Sequence, residues 1–293
     1  MDGRQLEYFL AVADELNFTR AAERVFAVQS TVSAGIRSLE RELGTTLFER
    51  GPRGVALTPT GEGLIPAARA ALDALERVAQ VADSSAGLRG RLRVGVFTNL
   101  STIDLPGILG EFHRRHPGVD LQLGPSPTGS TGLADDVRTG RLDAALYGLP
   151  DAPTGLRVHR LATSRFVAIL PEAHLLAARS EVRLRDLVGE RFVDAREGFG
   201  NRATLDAALV ARNLSRRVTT EVSDLGEIPR FVAAGLGVGA LPELAVNPAA
   251  GAVVRALVEH IDWELRLITR PEPTPAAEAL VVLFGERFAE QPR

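Results

Sequence analysis

Ser30, Ser33, Arg37 and Arg41 recur at intervals of three and four residues, the spacing that puts side chains on one face of an α-helix. Short hydroxyls near the start of such a helix let its backbone approach base edges, and guanidinium groups further along reach guanine or phosphate. Gln29 and Thr31 flank Ser30 in the first turn, where free helix amides also favour a phosphate. The chemistry on offer is recognition of a polyanion with a readable edge. A solvated helix face has the same composition, because Ser and Arg are common surface residues, and this segment alone does not separate the two.

Other residues offer less. Gly235-x-Gly237-x-x-Ala240 fits a dinucleotide fingerprint on paper, but the glycines follow an apolar helical stretch and lead into a strand, the reverse of the order that fingerprint needs. His113 and His116 stand about one turn apart just before Pro117, at a helix end where imidazoles serve as dipole partners. His159, His174 and His260 are scattered, and no nucleophile, base and orienting group can be assembled from spacing. With no Cys in the chain, thiolate metal sites, disulfides and cysteine nucleophiles are excluded. No catalytic residue, metal site or cofactor is expected.

The elements that would position the polar face lie in the first sixty residues. Leu6, Phe9, Leu10, Ala13 and Leu16 describe an amphipathic helix ending near Asn17. Thr19 is placed to cap a short helix over residues 20–25, in which Ala21 and Ala22 permit close packing. After the turn Phe26-Ala27-Val28, Val32, Ile36, Leu39 and Leu43 give the segment 29–43 a core stripe opposite the Ser and Arg face. Residues 47–59 then read as strand, Gly/Pro turn and strand, with Arg50 and Arg53 flanking the turn. An arginine-bearing hairpin beside a reading helix contacts the phosphate backbone or the minor groove.

Further on, Leu64, Ala68, Ala71, Leu75, Val78 and Ala82 alternate four and three apart, with Arg69, Asp73 and Arg77 as a solvated charge ladder on the outer face. The stripe suits either a second copy of the helix or the chain's own domain. Pro66 implies a bend, or a regular helix starting near Gly63. Beyond residue 90, strands at 91–97, 119–123 and 142–147 alternate with helices at 105–116 and 131–140, which predicts parallel sheets covered on both faces. Strands at 166–170, 191–194, 219–222 and 237–241 form a second set, followed by a returning strand at 264–269 and a last helix at 274–291.

At 293 residues, with 45% hydrophobic and 24% charged residues, the chain should form two or three folded units. Its formal net charge is −3, so a DNA partner must be argued from local placement rather than a global basic field. Every basic residue is Arg. No signal-peptide core stands at the N-terminus and the most apolar stretch, residues 231–246, is short and broken, so a cytoplasmic protein without membrane insertion is expected.

Leu6-x-x-Phe9, Phe18-Thr19-x-Ala21-Ala22, Gln29-Ser30-x-Val32-Ser33, Ile36-x-x-Leu39-Glu40, Leu43-Gly44, Leu47-Phe48-x-Arg50 and Leu57-Thr58-x-x-Gly61 together resemble the N-terminal pattern of the LysR-type transcriptional regulators. The similarity continues through Phe112-x-x-x-x-Pro117-x-Val119, Gly140-x-Leu142-Asp143 and the run Val232 to Pro242. Val28 at the helix cap and Ala34-Gly35 mid-helix depart from the family's usual polar residues. The resemblance implies an α/β protein with an N-terminal winged helix-turn-helix (1–60), a long dimerising linker helix and hinge (61–90), and a two-lobed α/β sensor (91–293). That sensor resembles periplasmic solute-binding proteins, with lobe I at about 91–164 plus 264–293 and lobe II at about 165–263.

DNA contacts are then expected from Thr19, Gln29, Ser30, Thr31, Ser33, Arg37, Arg50 and Arg53. An effector should bind at the carboxyl ends of strands, through Thr98, Asn99 and Ser101, Thr128 and Ser130, Ser223, and Arg202 beside Gly200 and Asn201. Hydroxyls and helix N-termini suit a small anion, although each hydroxyl is also an ordinary helix cap. The family resemblance implies a homodimer or homotetramer on promoter DNA whose bend changes with the effector. The rival is a cytoplasmic small-molecule binding protein whose N-terminal helices serve only for oligomerisation.

Overall fold

The computed structural model describes residues 1–51, 54–82, 87–97, 103–126 and 128–289, without the side chains of Arg50 and of residues 79–82. It divides into two compact units, Met1–Gly90 with Arg138–Gly140, and Arg91–Val137 with Arg141–Arg293.

The first unit begins with α1 (Gly3–Glu15), which Asp2 and Gln5 close in a reciprocal capping box. Next is α2 (Phe18–Arg24), capped by Asn17, whose side chain accepts from the amides of Thr19 and Arg20. The expected cap at Thr19 is thus displaced: Asn17 has the stronger cap chemistry, and Thr19 lies inside the helix, exposed. Helix α3 covers Gln29–Leu43, with no side-chain cap at Val28 and with Gly44 at φ 66 ending it. Strands β1 (Phe48–Gly51) and β2 (Gly54–Leu57) pair as the expected hairpin. The Glu40 carboxylate accepts from the Leu47 amide at 2.8 Å and so ties the hairpin to α3.

Phe9, Val12, Val32, Ile36, Leu39 and Leu47 form the core of this unit. Phe48 meets Phe9 and Phe18 with ring centroids 5.6 and 5.9 Å apart. Each such fully buried side chain is worth about 1.5–3 kcal/mol.

Helix α4 (Pro59–Ala82) is capped by the Thr58 hydroxyl on the Gly61 amide and runs unbroken through Pro66. Its stripe divides. Ile65 and Ala68 are buried in the core, with Leu64, Ala71 and Leu72 packed against it, whereas Leu75 and Val78 are exposed. The expected outer charge ladder is corrected: Arg69 and Asp73 are buried, and the Arg69 guanidinium lies 2.6 Å from Asp14 on α1. Spacing gave their common face, but not the α1 carboxylate opposite it.

The second unit holds, apart from the first two residues of β3 and the last of α6, the elements β3 (Arg89–Val96), α5 (Leu105–Arg115), β4 (Gly118–Pro125), α6 (Gly129–Arg138), β5 (Ala144–Tyr147), β6 (Arg157–Pro171), β7 (Glu181–Val182), α7 (Leu184–Leu187), β8 (Arg191–Ala195), α8 (Gly200–Val210), β9 (Arg217–Val222), α9 (Ile228–Ala233), β10 (Gly239–Pro242), β11 (Ala252–Leu257), β12 (Asp262–Thr269) and α10 (Pro275–Ala289). The sheets are not the purely parallel ones expected. Parallel pairing joins β3 to β5 and β8 to β9. In contrast, β12 is antiparallel to both β5 and β6, and β10 and β11 are antiparallel to β6. Strand β6 begins well before the expected Phe166; its first half is partly exposed, so it lacks the continuous apolar run that marks its second half. The β6–β12 ladder shifts register between Leu265 and Arg266, with Ala162 opposite Leu265 and Arg160 opposite Arg266.

A buried ionic knot supports β5. The Asp143 carboxylate accepts from the Arg93 backbone amide at 2.8 Å and pairs with the Arg93 guanidinium at 2.8 Å, with Arg270 3.6 Å away. The Gly235 and Gly237 pair proves structural. Gly235, at φ 80, ends α9, and a Cβ on Gly237 would stand 2.1 Å from the Arg191 carbonyl oxygen.

Candidate functional site

Helix α3 is divided along its length. Val32, Ile36 and Leu39 seal the core, while Gln29, Ser30, Thr31, Ala34, Arg37 and Arg41 are exposed. Among the described residues no ion pair holds the Arg37 guanidinium, which leaves it available to an external anion. Ser33 departs from the expected reading face. It is 5% exposed, and its hydroxyl accepts from the Gln29 carboxamide at 2.9 Å. It stands one position from Val32 and three from Ile36, at the margin where the helix turns inward. The outward edge is therefore Ser30, Ala34, Arg37 and Arg41.

Gly35, one of the departures from the family pattern, has a packing cause: a Cβ there would come within 2.7 Å of the Tyr8 ring on α1. In the hairpin, Arg50 pairs with Val55 across the strands. The Arg50 side chain and Arg53 lie outside the described residues.

In the second unit, the expected Thr98, Asn99 and Ser101 also lie outside the described residues. The loop after β4 is held by its own hydroxyls, with Ser126 Oγ and Thr128 Oγ1 3.2 Å apart. Thr128 is exposed, while Ser130 is fully buried and its Oγ accepts from the Gly148 amide at 3.1 Å. Glycines let the segment after β8 meet this loop. Ideal Cβ atoms on Gly129 and Gly198 would stand 3.0 Å from the Gly198 carbonyl oxygen and 3.1 Å from the Thr128 carbonyl oxygen, and one on Gly200 only 2.1 Å from the Gly148 carbonyl oxygen. Ser223 is exposed and follows β9, whose Val222 pairs with Ala195 of β8. It thus leaves the sheet at the same end as the segment carrying Gly198.

Arg202 is largely committed elsewhere: its Nε donates to Asp206 at 2.9 Å and its Nη1 to the Ala195 carbonyl at 2.8 Å, with Glu221 3.3 Å away. Beneath it, Asp194 is buried with Arg216, at 2.5 Å, and accepts from Asn201. Burial pushes the Asp194 carboxyl above its usual range, and the Arg216 guanidinium offsets part of that shift.

Sequence reasoning overlooked Trp263. It is buried on β12 against Gly148, and its indole N–H has no hydrogen-bond partner among the described residues. As the chain's single Trp it was visible, but nothing in its local pattern tied it to Gly148.

Among the described residues no group of three or more His, Cys, Asp and Glu is placed to hold a metal ion, and no helix is long and apolar enough to cross a membrane.

Comparison with known proteins agrees with this architecture. Residues 3–62 match the bacterial regulatory helix-turn-helix proteins of the lysR family, and residues 85–289 match the LysR substrate binding domain. The chain is 34% identical over 245 residues to a probable hydrogen peroxide-inducible genes activator of Streptomyces viridosporus, covering 83% of this chain and 78% of that protein. It is 34% identical over 242 residues to the HTH-type transcriptional regulator ShiR of Corynebacterium glutamicum (strain R), covering 81% of each. Among solved structures, full-length OxyR of Pseudomonas aeruginosa with a cysteine-to-aspartate substitution superposes with a TM-score of 0.78 at 28% identity, over 99% of this chain and 95% of that one. The chain belongs to the LysR-type family of transcriptional regulators, joining a DNA-binding helix-turn-helix head to a ligand-binding domain.

Proposed function

We propose that this regulator reads promoter DNA with the outward edge of α3 and responds to a small anion bound between the lobes of its second unit. In this reading residues 1–60 are the reading head, 61–90 the dimerising link, and 91–293 the sensor, with lobe I at about 91–164 plus 264–293 and lobe II at about 165–263. Gln29, Ser30, Thr31 and Arg37 face the major groove, and Thr19, Arg50 and Arg53 hold the flanking backbone. Ser33 supports them from within by holding Gln29. The protein works in the cytoplasm as a homodimer or homotetramer, bends its operator, changes that bend on binding effector, and carries out no catalytic step.

The observation that carries this reading is the two-sided α3, apolar where it seals the core and polar with a free guanidinium where it meets solvent. For the effector, support comes from Thr128, the uncapped start of α8 and Ser223, gathered where glycines bring the two lobes together. The relative named for hydrogen peroxide induction raises the question of a redox signal. A chain with no Cys has no thiol to oxidise, so the signal proposed here is a bound molecule.

The test is a gel-shift titration on duplexes selected from a random pool, comparing the native protein with Arg37→Ala. Arg37→Ala should bind the selected site at least ten-fold more weakly with an unchanged far-UV spectrum. Equal binding would refute the groove assignment.

A further inference from the structure

Helix α2 ends in a way that favours glycine, yet phenylalanine stands there. The Phe26 amide donates to the Glu23 carbonyl at 3.2 Å and the Ala27 amide to the Ala22 carbonyl at 2.9 Å, with Phe26 at φ 52 between them. This two-bond closure needs a left-handed residue, a conformation that crowds any Cβ against its own backbone. Helix α3 also ends on a left-handed residue, and there it is Gly44, with Thr45 donating to the Glu40 carbonyl just as Ala27 donates to Ala22.

The ring at position 26 returns nothing to the fold. Phe9, Phe18 and Phe48 of the same unit are buried in its core, whereas Phe26 is 98% exposed. Two residues on, Val28 is 70% exposed and forms no side-chain cap on α3. Next along the chain come Gln29, Ser30 and Thr31, all exposed. An apolar pair therefore adjoins the start of the polar edge assigned above to the major groove.

We infer that Phe26, with Val28 beside it, contacts DNA in the major groove and reads thymine through its 5-methyl group. Thymine is the base that presents an apolar group in that groove, and an apolar side chain is what recognises it. A wholly exposed ring in a sterically disfavoured conformation is explained when its area is buried by the operator. The inference rests on the proposed DNA reading by α3 and adds a sequence preference that the polar edge does not supply.

The experiment uses the full-length chain and its selected duplex, with binding followed by fluorescence anisotropy. Phe26→Asn tolerates positive φ and removes the ring, while Phe26→Leu keeps apolar bulk. Phe26→Asn should bind roughly ten-fold more weakly and Phe26→Leu should recover most of that loss. Replacing each dT of the site in turn by dU, which deletes only the methyl, should weaken the native protein about three- to four-fold at one or two positions and leave Phe26→Asn unaffected there. The thermal midpoint should not fall in Phe26→Asn.

Equal binding by native protein and Phe26→Asn overturns the inference while leaving the α3 assignment standing. A dU series that weakens both proteins alike also overturns it, because the methyl is then sensed by another residue. A change in oligomeric state with Phe26→Asn places the ring against a second copy instead, and likewise overturns it. If the native protein selects no duplex, the DNA reading itself fails and this inference with it.

Discussion

At the scale of single residues, spacing told which face a side chain occupies but not what stands opposite. Ser33 and Arg69 were both expected in solvent and both turned inward, one to Gln29 and the other to Asp14. Arg202 was expected as a ligand donor and is engaged by Asp206 and the Ala195 carbonyl. In each case the partner comes from packing rather than from sequence period. Gly35 illustrates the converse. Helix propensity alone says that Gly35→Ala should stabilise by about 1 kcal/mol, but its methyl would press on Tyr8, and overpacking costs about 1–3 kcal/mol. We expect net destabilisation by about 1 kcal/mol, measured as a lower denaturant midpoint. Asp143 sits inside the Arg93 and Arg270 cluster, so Asp143→Ala should cost about 3 kcal/mol by removing the buried carboxylate that both guanidinium groups face. A denaturation curve matching the native one would show that the knot contributes little.

At the scale of elements, the helices and hairpin of the head were legible because their apolar periods are strong and their end signals sharp; α3 runs from Gln29 to Leu43, as its stripe required. Strand β6 was only half legible, since its exposed first half carries no continuous apolar run. Its antiparallel partners are likewise set by contacts far along the chain. On α4 the stripe serves two ends, the near part filling the head's core and the far part leaving Leu75 and Val78 uncovered. If those two side chains meet a second subunit, Leu75→Asp should weaken dimerisation by ten-fold or more without loss of helix content. Sedimentation equilibrium reads that directly, and an unchanged association constant would reassign the exposed half of the stripe.

At the scale of the whole molecule, a net charge of −3 means that attraction to DNA must come from a few placed guanidinium groups rather than from the overall field. Binding should still depend steeply on salt: with about six phosphates engaged per complex, affinity drops on the order of a thousand-fold between about 50 and 200 mM salt. A flat salt dependence would contradict phosphate contact. On the sensor side, a panel of small carboxylates screened by thermal unfolding should show one that raises the midpoint, by about 2.7 kcal/mol of apparent stability at a hundred times its Kd. That the chain has such a domain was legible from alternating elements and the matched residues. Where its hydroxyls point was not, and Ser130 proves to be sealed inside.

The slipped rung in the long β6–β12 ribbon also has a mechanical consequence. With Arg160 and Ala162 matched across the ladder, Leu161 is left as the odd residue, and an extra residue of this kind interrupts the rungs of its ladder locally. Flexing of the ribbon should therefore concentrate there while the rungs on either side hold. Deuterium uptake at the Leu161 amide ought to change on effector binding before uptake at Val167 or Leu267 does; equal changes at all three would show that the slipped rung has no such role.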